Sequence, residues 1–164
     1  MPVDPEELRR AMRQWATGVT VVTSAYEGTR HGMTVNSFTS ISLDPPLILV
    51  SLERQTRTHR LVNQAGVFAV TILNDQQQDL SDCFAGRYPE REDRFCNVDT
   101  YTLLTGAPSI VGGLASFDCK VVSRYEAGTH TLFIGEVVAI HYPSSPVDSD
   151  GPLLYYNRSY RRLQ

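Results

Sequence analysis

Short β-branched or apolar segments separated by tight turns recur along most of this chain, and this pattern restricts the possible folds more than any other feature. Residues 18–26, 47–52 and 66–73 have the composition of strands. The turn at 27–29 leads from the first of them into a second strand, so a tight hairpin is predicted to begin the sheet. Residues 115–142 predict a long hairpin with its turn at 126–129. At least six strands, with only brief helices between them, predict a mainly β protein built as an antiparallel barrel.

A doubly wound nucleotide-binding fold is excluded by what the sequence lacks. No G-x-G-x-x-G motif lies between a predicted strand and a predicted helix, although that motif opens the dinucleotide-binding unit. The strand–helix–strand alternation that builds parallel sheets is also missing. The chain is therefore not a Rossmann protein.

Length, charge and cysteine content exclude further classes. The 164 residues suit one domain, with a helix over 1–16 followed by a barrel over 17–164. The net charge of −3 offers no basic surface for nucleic acid, and the apolar runs are too short to cross a membrane. The acidic N-terminus does not resemble a signal peptide. Three widely spaced cysteines argue against a zinc site and a disulfide framework. We therefore expect a cytoplasmic protein that binds no metal.

Three short helices are predicted between the strands. The first covers 4–15, with Asp4 as its N-cap and an apolar side formed by Leu8, Ala11, Met12 and Trp15. The second begins after Thr56 or Thr58, either of which has the hydroxyl group of an N-cap. Arginines beside that helix start indicate an anion site, although an ordinary capped surface helix explains the same residues. The third helix is predicted over 75–85.

Hydroxyl and amide side chains crowd into residues 31–51, which read H-G-M-T-V-N-S-F-T-S-I-S-L-D-P-P-L-I-L-V-S. Such groups recognise a phosphate or a neutral ring with several acceptors, and they carry out no acid–base chemistry. A Ser/Thr-rich loop that caps its own backbone explains the composition equally simply. The stretch is therefore either a ligand surface or a self-capped loop.

The same stretch resembles the signature of the short-chain flavin reductases, which are NAD(P)H:flavin oxidoreductases that supply reduced flavin to two-component monooxygenases. W-A-T-G-V-T-V-V-T at 15–23 is similar to the family's first strand, and the similarity runs from about Leu8 to Tyr160. The resemblance implies a split, Greek-key-like β-barrel that forms a homodimer with flavin sites near the interface. It implies FMN or FAD as the flavin and NADH or NADPH as the electron donor. No arginine stands in a recognisable 2′-phosphate pocket, which favours NADH.

The resemblance also assigns residues to the cofactor site. The polar stretch is expected to grip the flavin ring and ribityl chain, and the start of the second helix is expected to hold the phosphate end. These two regions supply Met33, Thr34, Val35, Asn36, Ser37, Ser40, Ser51, Leu52, Gln55, Arg57 and Thr58. Downstream matches add Phe84, Ala85, Gly86 and Phe95 beside the flavin tail, and Tyr155, Arg158 and Tyr160 along the flavin or nicotinamide cleft.

His130 is the single candidate catalytic residue, and it directly follows the turn at 128–129. Its spacing alone also fits an exposed hairpin histidine. The family commonly has G-D-H at this turn, where the histidine lies beside the nicotinamide or the flavin. Here Thr129 replaces the acidic neighbour that would raise the imidazole pKa. The replacement weakens the argument for proton donation and leaves a packing role open.

Hydride transfer between a nicotinamide and a flavin needs no protein nucleophile or base, because the cofactors carry the chemistry. A site rich in Thr, Ser and Asn is therefore consistent with a flavin reductase whose reduced product diffuses to a monooxygenase. Two alternatives stay open. In the first, the barrel holds a flavin for electron transfer without turnover; in the second, the barrel has lost cofactor binding and acts as an interaction subunit.

Overall fold

The computed structural model describes residues 1–144 and 151–164, which contain three helices and twelve strands. The helices are α1 (Pro5–Met12), α2 (Arg57–Ala65) and α3 (Gln78–Phe84). The strands are β1 (Thr17–Gly18), β2 (Thr20–Tyr26), β3 (Thr29–Val35), β4 (Phe38–Leu43), β5 (Pro46–Glu53), β6 (Val67–Ile72), β7 (Thr100–Thr102), β8 (Pro108–Ile110), β9 (Ala115–Ala127), β10 (His130–His141), β11 (Leu154–Tyr156) and β12 (Ser159–Arg161). None of the helices in these ranges is long and apolar enough to cross a membrane.

Seven strands form one antiparallel sheet in the order β3–β2–β6–β9–β10–β5–β4. β3 and β4 lie at opposite ends of this order, yet only Asn36 and Ser37 separate them in the chain. A link of this length spans at most about 10 Å, so the sheet must roll until its edges meet. Ser37 extends the β4–β5 pairing by one residue, because its carbonyl accepts from the Ser51 N–H at 3.2 Å and its hydroxyl donates to the Ser51 carbonyl at 2.7 Å. The predicted antiparallel, mainly β fold is confirmed.

The interior of the rolled sheet is apolar and closely packed. Phe68 and Phe133 are fully buried among aliphatic side chains from β2, β5, β6 and α2. Burying one such side chain contributes roughly 1.5–3 kcal/mol. Gly135 leaves the space that Phe68 fills, since an added Cβ would lie 2.6 Å from the Phe68 ring and 2.9 Å from Cys119 Cβ. A smaller apolar cluster outside the sheet includes Leu73 and Phe84.

The first two helices begin where their capping residues predict. Asp4 accepts a hydrogen bond from the Glu6 N–H at 2.7 Å. Thr56 rather than Thr58 caps α2, with its hydroxyl accepting from the His59 N–H at 3.2 Å. α1 ends three residues earlier than predicted, and its apolar side faces solvent, with Leu8 58% exposed.

Several predicted segments are subdivided in the structure. The strand predicted over 18–26 is broken at Val19 into β1 and β2, which belong to different sheets. The closing strand expected near the C-terminus is a hairpin, β11–β12, whose turn residues Asn157 and Arg158 have φ values of 49° and 64°. β4, β7 and β8 are not predicted at all. Their short polar or proline-containing sequences lack the apolar alternation that identifies a strand.

Candidate functional site

A groove runs along the outer edge of β3, between the start of α2 and the end of α3. Its main part, the Gln55 cavity, has a volume of about 470 Å³. It is lined by His31, Met33, Thr34, Glu53, Gln55, Thr56, Arg57, Thr58, Phe84, Ala85 and Arg94. Each of these three elements therefore supplies part of one concave surface, which is the usual form of a small-molecule site.

Further cavities adjoin the Gln55 cavity at both ends. The Tyr160 cavity, of about 210 Å³, shares Thr34 and Ala85 with it and is also lined by Val19, Val35, Asn36, Ser81, Arg87, Tyr155 and Tyr160. The Trp15 cavity, of about 260 Å³, continues from Asn36 and Tyr155 to Arg158. At the opposite end, the Arg91 cavity of about 480 Å³ shares His31, Arg57 and Arg94 and contains Gly86, Tyr88 and Arg91. The cavities form one continuous groove.

Hydrogen bonds to backbone carbonyls attach α3 and the following loop to β3. As an edge strand, β3 has outer backbone groups without a strand partner. Arg94 Nη1 donates to the Gly32 carbonyl at 3.0 Å, and Thr34 Oγ1 donates to the Ser81 carbonyl at 2.6 Å. These two bonds hold α3 and the loop after it against the edge of β3.

Arg94 is a fixed cation in the wall of the groove. Besides Gly32, its Nη1 donates to the Phe84 carbonyl at 2.9 Å. Gly86 makes room for the guanidinium, because a Cβ at this position would lie 2.8 Å from Arg94 Nη2. Gly86 also has a φ of 76°, which favours glycine. Burial lowers the pKa of Arg94, but an arginine stays charged at neutral pH.

His31 lies beside Arg94 and is neutral at physiological pH. Its Nδ1 is 2.8 Å from the hydroxyl of Thr58, which is buried. Burial, followed by the positive charges of Arg94 and Arg57, lowers the pKa of His31 to about 4. The groove is therefore electropositive at this point, and His31 is not a proton donor at pH 7.

Arg57 adds a second cation where α2 begins. It is the first helical residue after the Thr56 cap, and the N-terminus of a helix favours anions. Arg57 has no ion-pair partner in the part of the chain that the structure describes. Arg57 and Arg94 therefore place two positive charges in the lining of the same cavity.

The Tyr160 cavity is built around a polar network. The Tyr160 hydroxyl lies 2.7 Å from Ser81 Oγ and donates to Asp82 Oδ1 at 2.8 Å. Arg87 pairs with the same carboxylate oxygen at 2.7 Å. Burial raises the pKa of Tyr160, so its hydroxyl stays protonated. Tyr155 packs edge-on against Tyr160 with ring centroids 5.4 Å apart, giving the cavity an aromatic wall.

The structure brings most of the predicted site residues to the groove. The Gln55 cavity gathers seven of them, namely Met33, Thr34, Gln55, Arg57, Thr58, Phe84 and Ala85. The Tyr160 cavity gathers Val35, Asn36, Tyr155 and Tyr160. Arg158 lines the Trp15 cavity, and Gly86 lines the Arg91 cavity.

The other predicted residues lie away from these cavities. Ser37 and Ser51 pair with each other at the start of the β4–β5 ladder, Leu52 is buried in the barrel interior, and Phe95 packs against Phe84 with ring centroids 5.0 Å apart. Ser40 is exposed on β4. His130 begins β10, opposite Glu53 on β5, with its Nδ1 2.9 Å from its neighbour's hydroxyl, Thr129 Oγ1. Their assignment to the site stays a prediction.

Several groove residues were not among the predicted site residues, and Arg94 and His31 are two of them. Arg94 lies in the charged segment R-Y-P-E-R-E-D-R-F, in which nothing local distinguishes a buried cation from solvated ones. His31 precedes the glycine of the polar motif, and its burial depends on α2, which is far along the chain. No group of three or more His, Cys, Asp or Glu side chains within residues 1–144 and 151–164 is arranged to hold a metal ion.

Comparison with known proteins identifies the family. The model of the flavin reductase like domain matches residues 12–164. This chain belongs to the flavin reductase-like family. An NADH-dependent flavin reductase from a Rhodococcus species is 38% identical over 165 residues, which cover 99% of this chain and 88% of the relative.

Two solved structures show the same fold as this flavin reductase-like chain. The NADH:FAD oxidoreductase of Streptomyces globisporus C-1027, in complex with NAD and FAD fragments, has a TM-score of 0.87 and 35% identity, covering 100% of this chain and 97% of that one. The styrene monooxygenase flavin reductase of Pseudomonas putida S12 has a TM-score of 0.83 and 39% identity, covering 94% of this chain and 96% of that one.

Proposed function

We propose that this chain catalyses the NAD(P)H-dependent reduction of FMN or FAD and releases the reduced flavin to a partner monooxygenase. The observation that carries the proposal is the groove itself. It combines an anion site at Arg57 and Arg94 with neutral hydroxyl and amide groups on β3 and the link after it. That combination suits a phosphorylated ring system, and hydride transfer between a nicotinamide and a flavin requires no base or nucleophile from the protein.

The residues present fit a flavin. The Gln55 cavity places the side chains of Met33 and Phe84 beside the hydroxyl of Thr34, which matches a ring with apolar faces and polar edges. The space above Gly86 leaves the Arg94 guanidinium in place for a phosphate. When bound, the flavin supplies the hydride acceptor and the nicotinamide supplies the donor.

The protein contributes binding, orientation and the exclusion of water. Thr34 and Asn36 would hold the ring and ribityl chain, while Gln55, Arg57 and Arg94 would hold the phosphate end. Tyr155 and Tyr160 would border the nicotinamide, since their cavity adjoins the Gln55 cavity at Thr34. Orienting two reactants in contact is worth a large part of the barrier to a bimolecular step. His31 is neutral at pH 7, so the site offers positive charge from arginine alone.

The wider assembly is part of the same proposal. We place this single-domain chain in the cytoplasm, as a homodimer. Exposed apolar side chains on and just after α1, and along the β9–β10 hairpin to the residue that follows it, support an interface, among them Leu8, Trp15, Tyr125 and Tyr142. A relative named as a styrene monooxygenase flavin reductase supports an oxygenase as the recipient of reduced flavin.

The experiment is the oxidation of NADH and of NADPH by the purified protein with FMN, FAD, riboflavin or no added flavin. We expect loss of the nicotinamide absorbance only when a flavin is present, with NADH the better donor. A protein that binds flavin and oxidises neither nicotinamide would contradict the reductase and favour a flavin carrier. Light scattering of the same sample tests the dimer, and a monomeric mass would exclude it.

A further inference from the structure

The groove continues past its phosphate end into a second cavity of almost equal size. The Gln55 cavity and the Arg91 cavity have volumes of about 470 and 480 Å³, and they share His31, Arg57 and Arg94. FMN has one ring system and ends at one phosphate. FAD continues through a diphosphate to an adenosine. Two cavities of comparable volume that meet at a pair of arginines match FAD better than FMN.

The junction between the cavities is suited to a diphosphate. Arg94 is held in place by the carbonyls of Gly32 and Phe84, so it binds an anion without losing side-chain freedom. Arg57 lies at the start of α2, where the helix itself favours negative charge. The pKa of His31 at this junction is lowered to about 4, first by burial and then by the positive charges of Arg94 and Arg57.

The far cavity has the surfaces that bind a purine. The Arg91 guanidinium lies over the ring of Tyr88, with its Cζ 4.6 Å from the ring centroid. Aromatic rings and guanidinium planes are the surfaces on which nucleobases stack. The lining also includes the carboxylate of Glu92, which leaves an excess of positive charge because Arg57, Arg91 and Arg94 line the same cavity.

We propose that the Arg91 cavity binds the adenylate half of FAD, so that this chain binds FAD more tightly than FMN. The inference rests on the function proposed above and goes further, because it selects one flavin and names Tyr88 and Arg91 as the residues that select it. A neighbouring cavity of about 760 Å³ contains Tyr26 and Arg60 and reaches the same junction. In that cavity, no arginine among the described residues places its guanidinium over the ring of Tyr26.

Equilibrium dialysis of the full-length protein against FAD, FMN and NADH, each alone, tests the proposal without relying on turnover. We expect the Kd of the wild-type protein for FAD to be at least about tenfold below that for FMN, the usual effect of one stacked base. Arg91→Ala and Tyr88→Leu should each raise the Kd for FAD about tenfold and change the Kd for FMN less than about twofold. Arg60→Ala is the matched control and should change neither value.

The other outcomes overturn the proposal in distinguishable ways. Equal wild-type affinities for FAD and FMN, or a selective loss of FAD binding in Arg60→Ala alone, would show that the Arg91 cavity does not bind the adenylate half of FAD. A rise in the Kd for NADH with unchanged FAD binding would assign the cavity to the nicotinamide dinucleotide instead. If the wild-type protein bound neither flavin, the proposed reductase function would fail together with this inference.

Discussion

Val35 and Thr34 are neighbours on β3, yet they belong to regions of opposite character. Val35 packs into the apolar barrel interior, where an added methyl group at Gly135 would collide with Phe68. Thr34 lines the groove outside, where side chains are held by hydrogen bonds to backbone carbonyls and arginines remain free to bind anions. One strand thus separates the region that provides stability from the region that provides binding, and substitutions on its two sides should have separable effects.

The largest expected effect is on stability and comes from the barrel interior. Phe68→Ala should lower the free energy of unfolding by about 3–5 kcal/mol, because it removes a fully buried ring and leaves a cavity. Phe68→Leu should cost less, since most of the volume is kept. Urea unfolding followed by circular dichroism measures both. A loss below about 1 kcal/mol in Phe68→Ala would mean that the interior is not the main source of stability.

The second effect is on binding and comes from the groove. Thr34→Trp should raise the Kd for flavin at least about 100-fold by filling the Gln55 cavity, and should cost only about 1 kcal/mol of stability through the lost bond to the Ser81 carbonyl. Thr39→Trp, on the exposed face of β4, is the matched control. Flavin titration of both folded variants compares their Kd values for flavin. Equal affinities would place the flavin elsewhere. Ser37→Phe is less informative, because Ser37 also hydrogen-bonds to Ser51 at the start of the β4–β5 pairing.

A smaller effect should connect the two regions through α2, which buries Val62 in the barrel interior and presents Arg57 to the groove. Thr56→Ala removes the N-cap and should lower the free energy of unfolding by about 1 kcal/mol. The loosened helix start should also weaken flavin binding a few-fold, whereas Thr56→Ser should preserve both properties. Unfolding and flavin titrations are run on the same samples. Normal flavin binding in a destabilised Thr56→Ala protein would show that the two regions are independent at this helix.

The smallest effect concerns His31 and pH. Its folded pKa of about 4 lies below the unfolded value of 6.5, so between these values the unfolded chain binds a proton that the native protein does not. The free energy of unfolding should therefore fall as the pH drops from about 6.5 to 4, with no contribution from His31 above this window. His31→Asn should lose less stability than the wild-type protein between pH 7.5 and pH 5, measured by urea unfolding. An identical loss in both proteins would show that His31 is accessible to protons when folded.

Local sequence chemistry predicted the parts of this molecule that depend on near neighbours. The strand at 66–73, the hairpin over 115–142 and the capped start of α2 all lie where the alternation, turn residues and hydroxyl groups indicate. The family resemblance, in the 31–51 stretch and further along the chain, predicted cofactor-site residues from distant parts of the sequence. Most of these residues line one groove. β4 and the C-terminal hairpin were missed, because short polar strands carry little signal without their partners.

The sequence by itself determined that this chain is a mainly β protein of the flavin reductase-like family, because turn spacing, strand composition and a polar motif are local properties. Only the tertiary structure decided which polar groups face a ligand. Arg94 becomes part of the site because the carbonyls of Gly32 and Phe84 hold it and Gly86 leaves it room. His130, selected from the sequence, lies at a hairpin turn outside the groove. The position of a side chain relative to distant strands depends on how the sheet rolls, and no local pattern contains that information.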